Sequence, residues 1–72
     1  MIEIWGKPHC PHCDQAKNLC EMKGAQYTYK ELATHFSRED VLEEFPGART
    51  FPQIKVDGVA IGGLNELKAM YE

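Results

Sequence analysis

Residues 2–13 read Ile2-Glu3-Ile4-Trp5-Gly6-Lys7-Pro8-His9-Cys10-Pro11-His12-Cys13, a strand, a break and a helix start in immediate succession. From Met1 to Trp5, Ile2 and Ile4 alternate with Glu3, the pattern of a short strand buried on at least one face, and Gly6-Lys7-Pro8 interrupts it. Pro11 occupies the position of a first helical residue, where its fixed φ suits the start and its missing N–H costs nothing. Gly24, directly after Lys23, fits a left-handed C-terminal cap, so the spacing predicts a helix over residues 11–23. Cys13, Ala16, Leu19 and Cys20 recur along it at helical spacing as the inward stripe. Gln26 to Leu32, with Tyr27, Thr28 and Tyr29, suits a second strand. These pieces form a βαβ unit, which implies parallel strands and a right-handed crossover.

Beyond that unit, Ser37 is placed to cap a second helix. Val41 packs back on Phe36, Leu42 and Phe45 complete the apolar stripe, and Pro46-Gly47 stops it. Gln53-Ile54-Lys55-Val56, Asp57-Gly58 and Val59-Ala60-Ile61 form the clearest local pattern, two strands joined by a two-residue turn. Gly62-Gly63 ends the hairpin, and Asn65 is expected to cap a last helix running through Leu67 and Met70 to Tyr71. The predicted order is β-α-β-α-β-β-α, an α/β chain with a four-stranded mixed sheet flanked by three helices.

The chain has 72 residues, 43% apolar and 26% charged, with no repeat, linker or low-complexity tract, which predicts a single domain over residues 1–72. Eight basic residues against eleven acidic give a net charge of −3 without a basic run, so nucleic acid is not an expected partner. No stretch approaches the ~20 apolar residues of a membrane span, and Met1 to Trp5 lacks the basic start and apolar run of a secretion signal. The expected setting is the cytoplasm. Three cysteines, Cys10, Cys13 and Cys20, are too few and too odd in number for a secreted disulfide framework.

Cys10 and Cys13 therefore need a different account. A C-x-x-C pair where a strand meets a helix reads as redox chemistry. The free N–H groups and positive dipole end of the helix favour a thiolate at Cys10, and Lys7, with His9 and His12 when protonated, adds positive charge. Such a thiolate attacks a disulfide sulfur, and a thiol one helical turn away attacks the resulting mixed disulfide. Cys10 is the predicted nucleophile and Cys13 the resolving thiol. A zinc site is the rival, since two Cys and two His lie within five residues. Adjacent His9 and Cys10 seldom converge on one tetrahedral ion, however, and only the isolated Cys20 and His35 are left as further ligands. Cys20 reads as a core residue, His35 as loop and Arg38 as a solvated helix residue. Pro52 suits the first position of a strand in either isomer, and Gly62-Gly63 ahead of a helix offers N–H donors to a ligand carboxylate.

Three segments, in order and over nearly the whole chain, resemble the glutaredoxin family. Lys7-Pro8-His9-Cys10-Pro11-His12-Cys13 resembles its Lys-Pro-x-Cys-Pro-Tyr-Cys site. Gly47-Ala48-Arg49-Thr50-Phe51-Pro52-Gln53-Ile54 resembles its cis-proline segment, and Asp57-Gly58 through Gly62-Gly63-Leu64-Asn65-Glu66-Leu67 its hairpin and glutathione-binding end. The resemblance implies a thioredoxin-like fold and a glutathione-dependent thiol–disulfide oxidoreductase, with glutathione as co-substrate and no tightly bound cofactor. Its substrates would be glutathionylated proteins or protein disulfides such as that of ribonucleotide reductase, and it would act as a monomer. It also implies that Lys7 meets a glutathione carboxylate, that the Phe51 backbone beside a cis Pro52 pairs with the cysteinyl part, and that Gly63, Leu64 and Asn65 hold the γ-glutamyl end. His12, Arg49 and Thr50 are further implied contacts.

Two positions depart from the family pattern: His12 replaces Tyr, and Asn65 stands where Asp is common. Cys-Pro-His-Cys is similar to the tetrad of periplasmic thiol oxidases and predicts a more oxidising protein than a Tyr-bearing relative. Two rival functions are carried alongside: a small redoxin reduced by thioredoxin reductase, and a metal-binding module holding zinc or a cluster-bridged dimer. Family members that carry clusters usually have Gly-Phe-Ser or a small residue after the first cysteine, where this chain has Pro11.

Overall fold

A computed structural model describes residues 1–72. In chain order the elements are β1 (Ile2–Gly6), α1 (Pro11–Met22), β2 (Tyr27–Glu31), α2 (Arg38–Glu44), β3 (Gln53–Val56), β4 (Val59–Gly62) and α3 (Leu64–Met70). The sheet runs β2-β1-β3-β4, with β1 and β2 parallel and the other two pairs antiparallel. This is the expected thioredoxin-like arrangement, and β1, the carrier of the cysteine loop, lies in its interior.

Residue alternation along β1 sends side chains to both faces. Ile2 and Ile4 join Ile54, Ala16, Cys20, Leu64 and Leu67 in one core layer beneath α1 and α3. Trp5 points the other way and packs with Phe36, Val41 and Phe45 beneath α2. Ile4 and Ile54 are cross-strand partners, and both are fully buried. Truncating either to Ala would remove buried contacts worth about 2–5 kcal/mol, a large share of a small domain's stability.

The ends of the elements follow from local chemistry. Gly24 takes φ +66°, and the N–H groups of Gly24 and Ala25 return to the carbonyls of Glu21 and Cys20, closing α1 in a Schellman motif. Ser37 Oγ accepts from the Asp40 N–H while the Asp40 carboxylate accepts from the Ser37 N–H, a reciprocal cap for α2. Asp57 and Gly58 both have positive φ, as the hairpin turn requires.

Three local expectations change. Gly6 is not a break; it is the last residue of β1, paired with Glu31, and the Tyr29 phenol lies where a β-carbon would stand. Leu42 does not complete the α2 stripe: it is 48% exposed, because α2 has only two turns and turns only Val41 fully inward. Asn65 does not cap α3. The helix begins two residues earlier, with Gly63 as its cap, and the Glu66 carboxylate accepts from the Gly63 N–H at 2.7 Å. A side chain reaching back from the first turn replaces the Asn65 cap.

Candidate active site

The chain turns from β1 into α1 through His9, whose φ of +56° puts a non-glycine residue in the left-handed region. That turn leaves Cys10 in extended conformation as the N-cap of α1, with Pro11 as the first helical residue. Its sulfur replaces the usual capping oxygen and accepts from the Cys13 N–H at 3.2 Å. Cys10 and Cys13 form a disulfide with Cα atoms 5.2 Å apart, so the structure shows the oxidised state. Cys13 is fully buried behind Cys10, which is 7% exposed and opens into a groove. Access alone orders the pair: an incoming sulfur reaches Cys10 first.

The groove has a volume of about 770 Å³ and brings Lys7, Cys10, His12, Arg49, Thr50 and Phe51 together. A second, adjoining recess of about 320 Å³ is lined by Pro52, Gly63, Leu64 and Asn65, and shares His12, Thr50 and Phe51 with the first. All the residues singled out in the sequence therefore border these two spaces, except Cys13, which lies beneath. The Phe51–Pro52 peptide is cis. Gly63 approaches the same segment closely, since a β-carbon there would stand 3.2 Å from the Pro52 carbonyl oxygen.

Several lining residues were not anticipated. Arg38, read as solvated, borders the large groove, as do Leu32 and Leu42, alongside His9, which was expected near Cys10. Arg38 is the first residue after the Ser37 cap, and nothing in its local sequence signals a groove formed by a loop more than ten residues away. The chain is acidic overall, yet the large groove has Lys7, Arg38 and Arg49 on its walls and no Asp or Glu. Glu66, in the smaller recess, already accepts from the Gly63 N–H. That bond also occupies one of the backbone donors expected to face a ligand.

Cys20 lies one layer deeper, fully buried, and burial first and Glu21 second push its thiol up from the ordinary value. It stays protonated and apolar at neutral pH, in line with a core role. His35 remains in the β2–α2 loop, its Nδ1 accepting from the Glu31 N–H at 3.0 Å. No three His, Cys, Asp or Glu side chains converge as a ligand set, and the cysteines of the zinc reading are bonded to each other.

A disulfide at the N-terminus of a helix, its Cys10 end lining a groove shared with Thr50 and Phe51 just before the cis Pro52, defines a thiol–disulfide oxidoreductase of thioredoxin-like fold. Residues 2–61 match the family model described as Glutaredoxin. A glutaredoxin of Haemophilus influenzae is 36% identical over 77 residues, covering 97% of this chain and 88% of that protein. One from Ricinus communis is 32% identical, covering 97% of this chain and 72% of its own length. The solution structure of reduced Escherichia coli glutaredoxin superposes with a TM-score of 0.81 at 33% identity, covering 96% and 89% of the two chains. A buckwheat glutaredoxin–glutathione complex gives 0.80 at 25% identity, covering 97% and 66%. This chain belongs to the glutaredoxin family.

Proposed function

We propose that the protein is a glutathione-dependent thiol–disulfide oxidoreductase that reduces protein disulfides and glutathione mixed disulfides. The observation that carries this reading is the reach of the groove, from the one accessible sulfur at Cys10 past Lys7, Thr50 and Phe51 toward Gly63–Asn65. Glutathione is an extended tripeptide with two carboxylates, and the cationic wall favours it. The bound glutathione of the buckwheat relative supports the same reading.

In this mechanism the Cys10 thiolate attacks the glutathionyl sulfur of a mixed disulfide. The S–S bond breaks, the substrate leaves as a thiolate that takes a proton, and glutathione stays bonded to Cys10. A second glutathione thiolate then attacks that glutathionyl sulfur, giving oxidised glutathione and restoring Cys10. With a protein disulfide, Cys13 attacks the mixed disulfide at Cys10 and closes the bond seen in the structure; two glutathiones return the two electrons. Lys7 and Arg49 hold carboxylate, Thr50 and the Phe51 backbone align the cysteinyl part, and Leu64 and Asn65 border the γ-glutamyl end. The expected compartment is one rich in reduced glutathione, such as the cytoplasm.

A coupled assay decides between electron donors. Turnover with glutathione and glutathione reductase, and none with thioredoxin reductase, supports the proposal; the reverse pattern assigns the chain to the thioredoxin-reductase-linked reading.

A further inference from the structure

Phe51 does more than separate the two spaces. Its ring stacks on Phe36 with centroids 6.3 Å apart and planes at 26°, and Phe36 rests on Trp5 at 4.7 Å. Trp5 and Phe36 are buried while Phe51 is half-buried, so this aromatic ladder begins in the core and ends at the groove wall. The ammonium of Lys7 lies 5.9 Å from the Phe51 centroid. Lys7 forms no ion pair, and of the cations lining the large groove, Lys7, Arg38 and Arg49, it alone sits over a ring. A lysine on a four-carbon stem is otherwise a mobile charge, and an aromatic face restricts it at small entropic cost when the ring is itself braced.

We propose that Phe51 is a positioning residue: its ring, braced by Phe36, holds the Lys7 ammonium at the groove wall and so sets how tightly an anionic disulfide substrate is captured. The inference rests on the glutathione reading of the site. It assigns the ring chiefly to capture, so its loss should raise KM for the anionic substrate by a larger factor than it lowers kcat.

A double-mutant cycle on the full chain tests it, using Phe51→Leu, Lys7→Met and the double variant, with a glutathione mixed disulfide as one substrate and, on pre-reduced protein without free glutathione, an uncharged 2-mercaptoethanol disulfide as the other. Phe51→Leu should raise KM for the glutathione substrate about two- to fivefold, equivalent to about 0.5–1 kcal/mol. It should add nothing further in the Lys7→Met background and raise half-saturation for the uncharged substrate less than for the glutathione one. Phe51→Tyr should restore the low KM, and Phe51→Met should behave as Phe51→Leu. Penalties that add in the double variant, or an equal rise with the uncharged substrate, overturn the inference. Absence of glutathione turnover in the unsubstituted protein strikes instead at the proposed function.

Discussion

The backbone N–H of Cys13 donates to the Cys10 sulfur across 3.2 Å, so the contact that caps α1 also points a dipole at the atom that carries charge after reduction. One peptide group thus serves the fold and the chemistry. The two cysteines are separable by substitution, because a serine hydroxyl in place of the Cys10 sulfur would still cap the helix but cannot attack a disulfide. Cys10→Ser should fold normally and lose all turnover. Cys13→Ser should reduce glutathione mixed disulfides within roughly tenfold of the wild-type rate while failing on protein disulfides that need the second thiol. Steady-state assays on both substrate types check this.

His12 borders both the groove and the recess, one residue from Cys13. A polarisable or positive ring there stabilises the thiolate, favours the reduced form and raises the reduction potential. His12→Tyr should therefore make the protein a stronger reductant, by about 30 mV for each ~1.4 kcal/mol of lost thiolate stabilisation. Equilibration of both proteins with glutathione buffers measures the difference.

Cys20 predicts an alkaline dependence. Its thiol pKa is raised in the folded state, chiefly by burial. The stability this contributes is complete below the unfolded value, about 8.5, and is lost as pH rises through the folded value. Denaturant midpoints should fall above about pH 9, and Cys20→Ala should flatten that fall. In the reduced protein at neutral pH, iodoacetamide should label Cys10 and spare Cys20 until the chain is unfolded, as peptide mass mapping would show.

Gly6 ends β1 beneath the Tyr29 ring, which packs against the core layer under α1 and α3 and has the Lys17 ammonium 4.3 Å from its centroid. Gly6→Ala should destabilise by about 1–3 kcal/mol through overpacking. Removing the ring in a Gly6→Ala/Tyr29→Leu double variant should recover most of that loss relative to Tyr29→Leu alone, measured by chemical denaturation.

What could be read in advance was whatever a few neighbouring residues determine. Pro11, Gly24, Ser37 and Asp57-Gly58 each impose a local backbone state, so the element order and the hairpin were legible. The Cys10–Cys13 spacing with its helix start carried the chemistry. Features set by distant packing were not legible: the Tyr29 phenol over Gly6, the exposure of Leu42 on a two-turn helix, and Arg38 at the groove. The α3 cap lies between, because Asn65 is a fair capping residue by type. The choice went to Gly63 because Glu66 reaches back to its N–H and the Pro52 carbonyl leaves little room there for a side chain. The positive φ of His9 likewise belongs to the turn that delivers Cys10, a position where residue type alone points elsewhere.

The most direct measurement is the ionisation of the Cys10 sulfur in the reduced protein, followed by thiolate absorbance and by the pH dependence of its alkylation rate, with Cys13→Ser removing the second thiol. Capping of α1 and the cations lining the groove predict an apparent pKa well below the ~8.5 of a free thiol, with the sulfur mostly ionised at pH 7. An apparent pKa at or above the free-thiol value would contradict the account.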